Sequence, residues 1–322
     1  MKKILIAALL LITMLMSSCG NEDDYLKTTG IKIAALKGPT GMGLVKLMDD
    51  SKTGPVNGNE YEFTISGSVD EVVAKISSGE TDLACVPANL GAALYSKTEG
   101  NQMVLAVNTL GVIYICENGN SIKSLEDLKG KTIVASGKGA SPEYCLNYIL
   151  SENGIEDVEI EWKSEHSECA AILASTEGSI VMIPQPFVTT SMMQNENIGI
   201  AVDLTKEWDD INSDSALITG IIIGNREFIE ENPNAINSFL QSYEESVNYV
   251  NQNIDEASKL MGEYEILPEA AAKIAIPKCN IVCITNEDMK IRLNGYLTEL
   301  FDQNPASVGG KIPLDDFYYI GN

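Results

Sequence analysis

The chain is 322 residues long, 44% hydrophobic and 21% charged, which is the make-up of a globular protein and not of a disordered one. Its 46 acidic residues outnumber 22 basic ones and leave a formal net charge of −24. No basic patch exists to release counterions, so nucleic acid and anionic membrane surfaces are poor partners, and the acidity serves solubility.

Lys2 and Lys3 make a positive start, Ile4 to Met16 is an apolar run interrupted only by Thr13, and the small residues Ser17 and Ser18 precede Cys19. That order is the pattern of an export signal, and the run is shorter than the ~20 apolar residues a membrane span needs. Ser17-Ser18-Cys19-Gly20 resembles the bacterial lipobox, which implies a diacylglyceryl thioether on Cys19 before cleavage; an ordinary signal peptide with an incidental cysteine is the competing reading. Residues 1–18 are therefore expected to be a signal peptide and 19–30, polar and acidic, a lipidated tether with a typical reach of ~20 Å. No later stretch is long and apolar enough to cross a bilayer. The remainder is expected to lie outside the cytoplasm, lipid-anchored to the bacterial membrane in the periplasm or at the cell surface.

Ile31–Leu36 reads as a strand, Lys37–Gly43 as a glycine-rich turn, and Leu44–Met48 as the start of a helix. Tyr61–Ser66 alternates and is a second strand. Val69, Val72, Val73 and Ile76 form one helical face behind a Ser68-x-x-Glu71 capping box, with Gly79 as its stop. Asp82–Pro87 is the next strand and Ala88–Ser96 the next helix. Strands alternating with helices predict mostly parallel sheets.

The theme restarts after Gly111. Val112–Cys116 and Lys131–Ser136 are strands, with a capping box from Ser124 to Asp127 between them, and Gly137–Pro142 is a second glycine turn with Ser141 at the N-cap. Val158–Trp162, Ser179–Pro184 and Leu217–Gly224 are further strands. From there on only helices are expected: one from Asn232-Pro233 with a stripe through Ile236, Phe239, Leu240, Tyr243, Val247 and Val250, two shorter ones near 253–262 and 268–277, and a last one from Asn286.

Six cysteines follow Cys19, namely Cys85, Cys116, Cys145, Cys169, Cys279 and Cys283. There is no Cys-x-x-Cys and a single histidine, His166, so neither a zinc site nor any other metal or cofactor is expected. The cysteines are read as small buried hydrophobes in preference to disulfides, although an exported chain could oxidise them.

Four stretches carry a family resemblance: Ser66-Gly-Ser-Val-Asp-Glu-Val-Val with Gly79-Glu-Thr-Asp-Leu-Ala-Cys-Val-Pro87, Ile122–Ala135, Pro184-Gln-Pro-Phe-Val188, and Asn225–Ala235. In this order they resemble the substrate-binding proteins of ABC importers, in the branch of nitrate, alkanesulfonate, taurine and thiamine-pyrimidine binders. The resemblance implies an α/β, two-lobed fold of the type II periplasmic-binding-protein kind, each lobe a mostly parallel sheet flanked by helices. Lobe one would hold residues 31–111 and 217–322, and lobe two 112–216. It further implies a monomer that captures a small organic molecule between its lobes and delivers it to a membrane permease.

Ligands of open α/β sheets sit beyond the carboxyl ends of the strands, where helices begin. The turns there supply Thr40, Gly41 and Met42, then Ser66 and Ser68, then Gly139, Ala140 and Ser141 as candidate contacts, with helix capping as the competing role of the hydroxyls. Tyr114, Tyr144 and Phe187 are candidate stacking residues, and Asn89, Asn108 and Gln185 candidate amide donors. Lys37 could face an anion. Gly38 and Gly43 have phosphate-loop spacing, but Leu44 and Val45 stand where Lys and Ser/Thr are required, so no nucleotide site is expected. The only arginines, Arg226 and Arg292, fall on predicted helices away from the strand ends, which leaves a neutral or heteroaromatic ligand at least as plausible as an anion.

Two other classes share this fold. A lipid-anchored sensor domain would signal to a membrane receptor. A pyrimidine-precursor synthase would need His and clustered cysteines, and His166 stands in a polar, acidic stretch without them. No catalytic residue is expected.

Overall fold

The computed structural model describes residues 28–211 and 214–321, so the signal segment, Cys19 and most of the tether lie outside the described residues. Two sheets organise the chain. The first runs in the order β11-β4-β10-β3-β1-β2, with β1 Thr29–Leu36, β2 Asn59–Ser66, β3 Leu83–Pro87, β4 Gln102–Leu110, β10 Ile218–Asn225 and β11 Ile281–Ile284. The second runs β7-β6-β8-β5-β9, with β5 Ile113–Asn118, β6 Lys131–Ser136, β7 Val158–Lys163, β8 Ile180–Pro184 and β9 Ile198–Asp203. We call the first sheet with its helices lobe one and the second lobe two.

Both sheets are mixed. β1 pairs in parallel with β2 and β3, and β6 with β7 and β8, as the strand–helix alternation predicts. Antiparallel strands then complete each sheet: β10 lies between β3 and β4, and β5 between β8 and β9. β10 and β5 are the strands that carry the chain into each sheet from the other lobe, so they arrive running opposite to the βαβ strands. β4 is buried along nearly its whole length and β11 pairs with it at the sheet edge, so the segment after β10 is not purely helical.

The long helix Pro233–Gln252 covers one face of the first sheet with Phe239, Tyr243, Val247 and Val250, against Ile33, Met42, Leu105 and Ile222. The opposite face packs on Ala88–Lys97 and on the helix Asn286–Gln303. That last helix also reaches the second lobe. Tyr296 lies 5.6 Å from Trp208 and 3.8 Å, oxygen to sulfur, from Cys145, while the Tyr148 ring packs tilted against Trp208 at 4.4 Å between centroids. One apolar core thus runs unbroken through both lobes. Gln303 and Asn304 extend the seam by donating to the carbonyl and the hydroxyl of Tyr144 at 2.9 and 2.7 Å.

The chain crosses between lobes at Gly111-Val112, and returns between β9 and β10. A Cβ on Gly111 would stand 2.1 Å from Thr205 Oγ1, so only glycine fits this crossing. Gly43 is required for a similar reason, since its Cβ would meet the Tyr243 hydroxyl at 2.3 Å. The first glycine turn is therefore a packing device, with a short helix Pro39–Met42 inside it.

Local signals explain several ends. Ser68 accepts from the Glu71 N–H, but the Glu71 carboxylate returns to the Gly67 N–H, one residue earlier than a full capping box requires. Gly79 ends that helix in the left-handed conformation at φ 71°. All six described cysteines are free. Burial pushes the thiols of Cys85, Cys116, Cys145, Cys279 and Cys283 up to about 12, which keeps them protonated and unreactive.

Glu117, next to last in β5, is almost fully buried and holds the following turn. Its carboxylate accepts from Ser121 N–H at 2.7 Å, Ser121 O–H at 2.6 Å and Ile122 N–H at 2.9 Å. Desolvation pushes this carboxyl up, but the hydrogen bonds outweigh it and the net direction is below the ordinary 4.5. A depressed carboxyl contributes stability that is complete above the ordinary value and is lost as pH falls through the folded value. Glu117→Gln should therefore cost about 1–3 kcal/mol at pH 7. In urea titrations the gap to wild type should hold down to the ordinary value and shrink below it; a gap that widens in acid would contradict the assignment.

Candidate functional site

The parallel strands of both sheets point their carboxyl ends at one cleft between the lobes, of about 530 Å³. That volume lies within the range of small-molecule sites. Lobe one contributes Lys37, Pro39 and Thr40 after β1, Pro87 and Asn89 at the end of β3, and Leu217, Ile218 and Thr219 at the start of β10. Val69 and Tyr296 complete that side, and Val112 and Ile113 line the cleft at the crossing into β5. Lobe two contributes Ala140, Ser141 and Pro142 after β6, His166 after β7, and Pro184-Gln-Pro-Phe187 after β8.

The walls are largely apolar, and no carboxylate or guanidinium stands among the described lining residues. Lys37 is half-exposed and 3.6 Å from Glu265, a solvent-screened pair worth ~0–1 kcal/mol. Asn89 reaches the Ser307 carbonyl at 3.4 Å. Three helices of lobe two start at the cleft, Ser141–Glu152, His166–Ser175 and Phe187–Gln194; the residues before them, Ala140, Glu165 and Pro186, make no side-chain cap bond.

His166 and Phe187 form the aromatic corner, with ring centroids 5.5 Å apart. His166 Nδ1 lies 2.6 Å from the buried Ser136 hydroxyl at the end of β6. Burial holds this imidazole below the usual 6.5, against a weaker upward pull from Glu165. Gln185 is buried beside them, and its Oε1 accepts from both the N–H and the hydroxyl of Thr189 at 3.3 and 2.9 Å.

With this geometry in view, comparison with known proteins is specific. The NMT1/THI5-like family model matches residues 66–257, more than half of the chain. The chain belongs to the NMT1/THI5-like family. A Brucella abortus protein named only as a binding protein is 25% identical over 70% of this chain and 71% of its own. Among solved structures, an ABC transporter protein from Parabacteroides distasonis superposes with a TM-score of 0.77 at 19% identity, covering 90% of this chain and 99% of its own. The periplasmic aliphatic sulphonate binding protein SsuA from Escherichia coli does so with 0.71 at 18%, covering 91% and 92%. These likenesses give the two-lobed periplasmic-binding-protein fold, in agreement with the branch that the sequence motifs resemble.

Of the fifteen residues singled out from the sequence, Lys37, Thr40, Asn89, Ala140, Ser141, Gln185 and Phe187 line the cleft. The other eight lie outside its lining, each for a local reason. Met42 is fully buried in the core of lobe one, and a Cβ on Gly41 would stand 2.5 Å from the Leu36 carbonyl oxygen. Ser66 is buried at the end of β2, where its carbonyl accepts from Lys37 N–H, and Ser68 caps its own helix. Asn108 is fully buried and donates to the Thr40 carbonyl at 3.1 Å, so it positions the loop behind the cleft. Tyr114 turns away to the Lys278 carbonyl at 2.8 Å. Gly139 N–H donates to Glu143, and Tyr144 donates to the Gly139 carbonyl.

The sequence reading passed over His166, Tyr296 and the cleft prolines. Pro39, Pro87, Pro142, Pro184 and Pro186 stiffen the turns where strands give way to helices; Pro87 and Pro184 close predicted strands, and Pro39, Pro142 and Pro186 follow predicted strand ends. His166 had such a signal too, since it lies three residues beyond β7.

Proposed function

We propose that the chain is the extracytoplasmic solute receptor of an ABC importer, closing its two lobes on a small organic molecule and handing it to a membrane permease. The observation that carries this reading is the cleft itself, lined from both lobes at the strand ends where α/β proteins hold ligands. The predominantly apolar lining favours a heteroaromatic or similarly flat molecule over a small, strongly charged anion. The solute binds without being transformed, as a monomer, with no cofactor. Among the described residues no helix is long and apolar enough to cross a membrane, so attachment would rest on a lipid at Cys19.

A thermal-shift screen with vitamins, pyrimidines, sulfonates and amino acids tests the binding, because a ligand of the folded state raises the midpoint. Small-angle scattering with a saturating hit should show compaction; an unchanged radius would overturn closure. Cys19→Ala should release the protein from the membrane fraction, and persistence there would overturn the lipid anchor.

A further inference from the structure

The polar groups on the lobe-two wall are not a random mixture. Gln185 is 3% exposed, and its orientation is fixed: the Thr189 backbone N–H can only donate, so the atom facing it is Oε1. Its Nε2 then points away from Thr189 and has no hydrogen-bond partner among the described residues, in a side chain that lines the cleft. A buried donor left unpaired costs about 1–3 kcal/mol, which a bound acceptor would recover.

His166 is the second polar side chain there. Its 2.6 Å separation from Ser136 is shorter than ordinary N–H···O bonds, ~2.9–3.0 Å, and lies in the range of hydroxyl donors. At that distance the Ser136 hydroxyl is the donor and Nδ1 the bare acceptor. The partner of one ring nitrogen decides which nitrogen carries the hydrogen.

We propose that Ser136 holds His166 in the Nε2–H form, so that Gln185 and His166 together present only hydrogen-bond donors and select a solute with an acceptor edge, an oxygen or a ring nitrogen without its own proton. This names a class of solute and so rests on the solute-receptor reading. Ser136 is the positioning residue; Gln185 and His166 touch the ligand.

The chain has one histidine, so protein labelled with ¹⁵N-histidine and carrying no histidine tag gives a single imidazole in a long-range ¹H–¹⁵N spectrum. At pH 7 the expected pattern is a protonated Nε2 and a bare Nδ1, and Ser136→Ala should convert it to a mixture of tautomers. A Nδ1–H form or an imidazolium at pH 7 overturns the proposal whether or not any solute binds, whereas absent closure overturns the receptor reading and leaves this pattern intact. N,N-dimethylbenzamide, an acceptor without donors, should move the Nε2 resonance in molar excess, and Gln185→Leu should weaken that response at least threefold. Benzylammonium should leave it in place. Movement with benzylammonium, or with neither probe, overturns the acceptor-edge selection.

Discussion

Trp208→Ala is expected to lower the unfolding free energy by about 3–5 kcal/mol, the usual cost of deleting a large buried aromatic ring. Trp208 is fully buried, donates its indole N–H to Ser215 at 3.1 Å, and is held between Tyr148 of lobe two and Tyr296 of the last helix. Its removal opens a cavity at the junction of the lobes, where neither side can collapse without pulling on the other. Urea unfolding read by circular dichroism measures the effect, with Trp208→Phe as the milder comparison. A loss under about 1 kcal/mol would mean that the seam contributes little beyond surface contact.

Phe187→Ala should weaken binding of any hit from the thermal-shift screen by ~10–100-fold, which corresponds to about 1.4–2.8 kcal/mol. The ring forms part of the apolar wall and supports His166. Half-buried at a helix start, it contributes modestly to the fold, so the variant should unfold close to wild type. Calorimetric titration separates the two effects. Phe187→Tyr should restore most of the affinity, and unchanged affinity in the alanine variant would remove the aromatic corner from the site.

The βαβ halves of both lobes were legible because their signals are local. Val69, Val72, Val73 and Ile76 repeat at helical spacing, and Gly79 adopts the left-handed stop that its position implied. β4, β9 and β11 were missed, along with the helices His166–Ser175, Phe187–Gln194 and Leu204–Ile211. β4 is buried on both faces and so lacks the alternation that marks a strand, while β11 has four residues and takes its conformation from pairing with β4. At the cleft, chain order could point to the ends of strands but not to side-chain direction. Thr40 and Met42 are two residues apart, yet one lines the cleft and the other is sealed in the core. The polar, acidic surroundings of His166 in sequence concealed a ring that folding turns toward Ser136 and Phe187.

The helix Asn286–Gln303 has a consequence for how the polypeptide acquires its shape during synthesis. Lobe two is contiguous in sequence and could condense as soon as it emerges from the ribosome, as domains made early commonly do. Yet the apolar flank around Cys145 and Trp208 receives Tyr296 only once the helix Asn286–Gln303 has been made. Until then that flank stays wet and adhesive, and a ribosome stalled before Asn286 would carry a sticky, half-finished lobe. Maturation of the second lobe is thus timed by the arrival of this helix and not by the end of its own segment.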